Sequence, residues 1–175
     1  RERGRGALEE AAFGDALGRI LTFAGHDVHR EFYVNDYGRQ IALFGQSVAA
    51  RIDQLHGRDT PVPEDGYQGD YVTEIAQALD GEGLEGEALA HRAQTLMLER
   101  MKADLERFRV RFDAFFSEAS LHESGQVLAG IERLLAAGDA YEQDGAVWFR
   151  TTAYGDEKDR VLRRADGTTT YIAPD

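Results

Sequence analysis

The chain has no cysteine in its 175 residues. That excludes a disulfide framework and any thiolate metal site, so the fold needs no oxidising compartment. No window approaches the roughly 18 consecutive apolar residues of a membrane span. The first apolar stretch is interrupted by Gly14, Asp15 and Arg19 and follows an arginine-rich start, which is not the pattern of a signal peptide. Together these features predict a soluble protein of the cytoplasm with no membrane partner. Positive charge is also scarce: 20 Lys and Arg face 32 Asp and Glu, a formal net charge of −12. Binding nucleic acid through overall charge is thereby excluded, although a local basic face is not. Arg107, Arg109 and Arg111 lie close together, as do Lys158, Arg160, Arg163 and Arg164. Read alone, both clusters are solvated faces balanced by neighbouring acids.

What is present is enough for one domain, or one domain plus an insertion, with a real core. Residues 7–24 carry Phe13, Leu17, Ile20, Leu21 and Ala24 at helical spacing, and Gly25 follows as a C-cap. Val28, Phe32 and Val34 then alternate as in a strand, closed by an Asn35-Asp36 turn before Gly38. A second helix is predicted over Arg39 to Leu55, with Ile41, Phe44, Val48 and Ile52 on one stripe. Loop chemistry follows from His56 to Gly69, then a short helix at about Asp70 to Leu79 and a glycine-rich break, DGEGLEG.

Met97, Met101, Leu105, Phe108, Phe112 and Phe115 step by four, four, three, four and three. This predicts one helix from about Glu87 to Phe116 with a core-facing stripe; a groove for a cofactor or partner is the sharper alternative. After the break at SEASLHESG, Ser124 is a candidate cap for a helix over about Gly125 to Ala137 that ends near Gly138. The remainder predicts antiparallel strands turning at Gln143-Asp144-Gly145 and at Ala165-Asp166-Gly167.

Motifs with chemistry are few. Ser120, His122 and Ser124 are adjacent, but no nucleophile elbow accompanies them and a triad is assembled from distant segments. His26 and His29 lack a third ligand, so no metal site is expected. The glycine-rich stretches match neither a Walker loop nor the dinucleotide fingerprint. RERGRG at the start could touch RNA phosphates but reads as a solvated terminus. The last eight residues, TTTYIAPD, place a phenol at Tyr171 and a carboxylate at Asp175 in a strand-like run. Two specific polar groups so close to a terminus suggest a cut through something larger.

Four stretches, in their order, resemble the catalytic domain of the arginyl-tRNA synthetases, class I aminoacyl-tRNA synthetases. They are GDALGRILTFAGHDVHREFYVNDYGRQI, PEDGYQGDYV, FFSEASLHESG with Phe112-Asp113 before it, and AVWFRTTAYGDEKDRVLRRADGTTTYIAPD. The resemblance implies an α/β chain: part of the class I nucleotide-binding, Rossmann-like fold with a mainly helical connective insertion and a β-rich C-terminal segment. It divides the chain into the first part of that fold (1–56), the insertion (57–150) and the returning strands (151–175).

It also implies a function. The parent enzyme would activate arginine with ATP, its Mg complex being a substrate, and transfer it to tRNA; no bound cofactor is expected in this chain. Tyr171 and Asp175 match the family positions that bind arginine, and Arg160, Arg163 and Arg164 become candidates for tRNA contact. A carboxylate suits a planar, always-charged guanidinium. The resemblance fails at one place. Where the family carries its HIGH histidines this chain has GRGALEE, and the second catalytic half and the anticodon-binding domain are expected to be missing. The chain by itself is therefore expected to be inactive. The alternative is a catalytically inactive remnant that binds RNA or a protein.

Overall fold

The computed structural model describes residues 2–174, with side chains from Glu10 onward. Asp175 lies outside the described residues. The chain forms two units, Arg1–Phe116 and Ser117–Asp175.

The first unit begins with helix α1 (Glu2–Phe23), then strand β1 (Glu31–Val34), helices α2 (Arg39–Leu55), α3 (Asp70–Leu79) and α4 (Gly86–Arg107), and strand β2 (Ala114–Ser117), which pairs with β1. Its core is helical: Phe44 and Val48 of α2, Val72, Ile75, Ala76 and Leu79 of α3, and Leu89 and Ala93 of α4. In each helix these residues recur at three- and four-residue spacing, so one stripe per helix faces the other two. Gly45 lets α2 cross α4 closely, since a Cβ there would lie 2.5 Å from the Ala90 Cβ. Ser47 is fully buried in the same helix. Its hydroxyl donates to the Leu43 carbonyl at 2.7 Å and accepts from the Tyr67 amide at 2.9 Å, which pins the 63–67 loop to α2.

The long helix differs from expectation. α4 stops at Arg107, so the Met/Phe series does not form one helical face. Of the residues predicted as its core stripe only Leu105 is buried, while Met97 and Phe108 are exposed; the buried side of α4 is Leu89, Ala90, Ala93 and Leu105. The stop is a Schellman turn: the Arg109 amide bonds the Glu106 carbonyl and the Val110 amide bonds the Leu105 carbonyl, both at 2.9 Å. Arg109 takes the left-handed position, φ 61°, that glycine normally fills. Buried Leu105 and Val110 are the apolar pair that accompanies this motif. Phe112 and Phe115 instead pack with Phe32 of β1 at 5.3 and 5.5 Å between centroids, and Lys102 lies over the Phe115 ring.

The second unit holds α5 (Glu118–Glu123), α6 (Gln126–Ala137) and strands β3 (Ala140–Gln143), β4 (Ala146–Phe149) and β5 (Arg160–Arg163), with a 3-10 turn at Thr151–Tyr154. The strands form an antiparallel sheet in the order β3-β4-β5. Asp144 and Gly145, φ 52° and 77°, make the two-residue hairpin between β3 and β4, the primed geometry whose twist matches the strands. Val127 and Ile131 of α6 cover Ala140, Val147 and Leu162 of the sheet. Ser117, not Ser124, caps a helix here, accepting from the Ser120 amide; α6 starts from Gly125. The last residues are not a continuous strand: Thr169 makes a single bridge to Arg163, and 171–174 form a turn.

Candidate functional site

The tail after β5 presents Tyr171. Thr170 anchors it on one side, its amide donating to the Leu162 carbonyl at 2.9 Å and its hydroxyl to the Val161 carbonyl. On the other side Ile172 and Ala173 pack on the second unit's core, and the Ala173 amide bonds the Thr170 carbonyl. Backbone is thus fixed before and after Tyr171 while its side chain, 74% exposed, faces solvent. A tyrosine held this way loses little freedom on meeting a ligand.

The three arginines named from the sequence lie along or just past β5, the edge strand, but they are differently engaged. Arg160 grips Asp156 with two parallel bonds, Nε at 2.7 Å and Nη2 at 2.8 Å. That hydrogen-bonded guanidinium holds the Asp156 carboxyl down at about 2, and the pair in turn raises the Arg160 pKa. Tyr171 is close enough to contribute to the same rise. Arg160 therefore reaches the Tyr171 neighbourhood already neutralised, and would repel a cationic ligand less than a bare guanidinium. Arg163 Nη2 is 3.9 Å from Glu142 Oε1, a loose pair. Arg164 spends one nitrogen on the Thr168 hydroxyl and the Thr169 carbonyl, at 3.1 and 3.3 Å, and so stiffens the turn into the tail.

Two neighbouring carboxylates build the same region. Asp159 accepts from the Thr152 amide and hydroxyl and from the Tyr141 hydroxyl, and the Thr152 bonds chiefly hold its pKa down. Asp166 accepts from the Thr168 hydroxyl and amide, which depress it likewise and close the turn before the tail. An open apolar cavity of about 600 Å³ lies behind the tail, lined by Val127, Ile131, Phe149, Leu162, Ile172 and Pro174 among others. Its lining does not include Tyr171. Among the described residues no cluster of three His, Asp or Glu side chains could hold a metal.

The sequence reading missed one group. Glu118 is a buried carboxylate, 3.8 Å from His122 Nε2 one helical turn on. A buried acid is costly to leave without compensation, so its retention is informative. The local pattern, Ser117 as cap with Glu118 in the first turn, marks a helix start in a stretch read as a break and as a family motif, but it carries no sign that the acid is buried.

A family model of class I (R) tRNA synthetases, catalytic domain, matches residues 2–175. The chain belongs to this family. An arginine–tRNA ligase from Nitratidesulfovibrio vulgaris (strain Hildenborough) is 48% identical over 98% of this chain and 32% of its own length. One from Geobacillus kaustophilus is 49% identical over 97% of this chain and again 32% of its own length. The chain thus spans about a third of the length of the curated relatives it matches.

Among solved structures, a Campylobacter jejuni protein designated an arginyl-tRNA synthetase superposes with TM-score 0.83 at 35% identity, covering 94% of this chain and 38% of that one. The Plasmodium falciparum arginyl-tRNA synthetase gives TM-score 0.60 at 13% identity over 95% of this chain and 30% of that one, a likeness of fold alone. The expected fold class holds: the chain carries part of the class I synthetase catalytic-domain fold. No helix among the described residues is long and apolar enough to cross a membrane.

Proposed function

We propose that the chain is a portion of an arginine–tRNA ligase, the whole enzyme activating arginine with ATP and transferring it to tRNA in the cytoplasm. The observation that carries this reading is near-half identity to ligases of that name over 98% of the chain. The division anticipated from the sequence is kept as part of the proposal: 1–56 for the first part of the nucleotide-binding fold, 57–150 for the connective insertion and 151–175 for the return. ATP enters as its Mg complex and is consumed, pyrophosphate leaving when arginine is activated and AMP when it is transferred to tRNA, so ATP is a substrate rather than a resident cofactor.

In this reading Tyr171 and Asp175 bind the substrate arginine. The fixed backbone on both sides of an exposed phenol supports the role of Tyr171, because a ring presented without reorganisation contributes its contact at little entropic cost. Asp175 would accept charge-assisted bonds from the guanidinium. The tRNA-contact role falls to Arg164 first and Arg163 second. Arg160, committed to Asp156, would serve mainly to hold the region in shape.

Isothermal titration of arginine into the folded chain tests the assignment. Saturable heat that is absent with lysine and lost in Tyr171→Ala and in Asp175→Ala is the expected result. Heat unchanged in both variants would remove these two residues from the arginine site, and none from a wild-type chain whose fold is verified by circular dichroism would remove recognition of arginine by the isolated chain.

A further inference from the structure

An aspartate followed by glycine is prone to covalent rearrangement, because glycine has no side chain to keep a neighbouring group off its amide nitrogen. The sequence holds four such pairs: Asp65-Gly66, Asp80-Gly81, Asp144-Gly145 and Asp166-Gly167. Rearrangement needs a carboxyl group free to swing onto the next amide and an amide nitrogen free to attack it. The fold meets these conditions unequally. At Asp65 and Asp166 both partners are tied. Asp65 accepts from Arg39 Nη2 at 2.8 Å, and the Gly66 amide donates to the Pro63 carbonyl at 2.8 Å. Asp166 accepts from the Thr168 hydroxyl and amide at 2.6 and 2.9 Å, and the Gly167 amide donates to the Arg164 carbonyl at 2.9 Å. At Asp80 one partner is tied: the carboxylate lies 2.7 Å from His56 Nε2, while the Gly81 amide has no hydrogen-bond partner among the described residues. In the β3–β4 hairpin neither is. The Gly145 amide is likewise without a partner among the described residues, and the Asp144 carboxylate accepts only a long bond, 3.4 Å, from the side-chain amide of adjacent Gln143. Both hairpin residues are exposed.

We propose that Asp144-Gly145 is a self-modifying site, where the native chain converts aspartate to isoaspartate faster than at its other three Asp-Gly pairs. The Gly145 nitrogen attacks the side-chain carboxylic acid of Asp144. The new N–C bond closes a five-membered succinimide, and the amide proton and the carboxyl hydroxyl depart together as water. A water molecule then adds to one of the two ring carbonyls. Opening at the side-chain carbonyl restores aspartate. Opening at the former main-chain carbonyl leaves Gly145 joined through the side chain and frees the α-carboxylate. One water is lost and one regained, so the step needs no oxidant, reductant or cofactor. Isoaspartate adds a methylene to the main chain inside a two-residue turn whose twist fits the strands only in its primed geometry, so the Gln143–Ala146 pairing at the end of β3 and β4 loosens as the protein ages.

The test ages the native chain in water enriched in oxygen-18. Each Asp-Gly peptide is then read by mass spectrometry for the heavy oxygen gained at ring opening, and for resistance to an endoprotease that cuts before aspartate but not before isoaspartate. Asp144 should react at least ~5-fold faster than each of the other three, the factor expected when one hydrogen bond need not be broken first. In urea, where all four pairs lose their bonds, the rates should converge. Asp144→Gly, which suits the positive φ at this position, should keep the fold and abolish the gain in that peptide. His56→Ala frees the Asp80 carboxylate beside its unbonded amide and should raise the Asp80 rate at least ~3-fold. A faster reaction at any other pair in the native chain, or heavy oxygen that persists in the Asp144→Gly peptide, would overturn the proposal. So would an Asp80 rate unchanged by His56→Ala, because a held carboxylate would then give no protection.

Discussion

Gly45→Ala sets two physical effects against each other at a known distance. Glycine in a helix interior is about 1 kcal/mol less favourable than alanine, so propensity alone predicts a gain. The new methyl, however, would lie 2.5 Å from the Ala90 Cβ and 2.9 Å from the Ala90 Cα. Neither atom can rotate away, since both belong to the facing helix. Relief to ordinary contact requires α2 and α4 to part by roughly 1 Å, which costs neighbouring side chains a quarter to a half of each contact's attraction. Phe44, Val48, Leu89 and Ala93 all pack in the cluster at this crossing. Overpacking of this kind costs about 1–3 kcal/mol, and the clash wins.

The net expectation is destabilisation by roughly 1 kcal/mol after the propensity gain is subtracted. Gly130→Ala in α6 is the matched control. It is also helical and has nothing within 4 Å of the added carbon, so the propensity term acts alone and stabilises by about 1 kcal/mol. Urea unfolding followed by circular dichroism measures both, each change appearing as a shifted midpoint at constant slope. Opposite signs from the same substitution are the signature of the argument. A Gly45→Ala chain as stable as wild type or more so would refute it, because the two helices would then not be in close contact.

Three further outcomes are expected. Ser47→Ala removes the acceptor of the Tyr67 amide and should cost about 1–3 kcal/mol in the same urea assay, with the 63–67 loop becoming the first site of proteolysis. Arg109→Gly should stabilise by roughly 0.5–1 kcal/mol, since relief of a left-handed arginine outweighs the extra freedom of an unfolded glycine. Asp156 has a folded pKa of about 2, below its ordinary 3.8, so its contribution is present above pH 4 and is lost as pH falls toward 2. Asp156→Asn should therefore lower stability at pH 6 and converge on wild type near pH 2. A difference that persists unchanged to pH 2 would assign the effect to packing instead.

Most helix boundaries were legible because local chemistry agreed with the tertiary result. α2 was placed from its apolar stripe and α3 as a short helix between two loop-rich stretches, and α2 and α6 stop at the glycines that adopt positive φ just beyond them, Gly57 and Gly138. The Asp144-Gly145 turn was legible for the same reason. The end of α4 was not, because its stop uses Arg109 where the sequence signal calls for glycine, and because Phe112 and Phe115 continue the helical spacing by coincidence while belonging to the β1–β2 aromatic cluster. TTTYI likewise reads as strand, yet only Thr169 and Thr170 bond back along β5 before the chain turns at 171–174. Of the candidate site, Tyr171 and Asp175 came from resemblance rather than from residue chemistry, and Glu118 stayed hidden because burial of an acid is a tertiary fact.

The two places where local and global preferences disagree have different physical meanings. Natural sequences keep pattern, packing and polar satisfaction mutually consistent except where function or a partner intervenes. At Tyr171 the disagreement is one residue wide: an aromatic faces water while Thr170 before it and Ile172 after it are tied down, which supports the proposed contact with arginine. On α1 it runs along three turns and involves four large apolar residues. Substituting Tyr171 should alter recognition while leaving urea stability within about 0.5 kcal/mol of wild type, as is usual for an exposed residue.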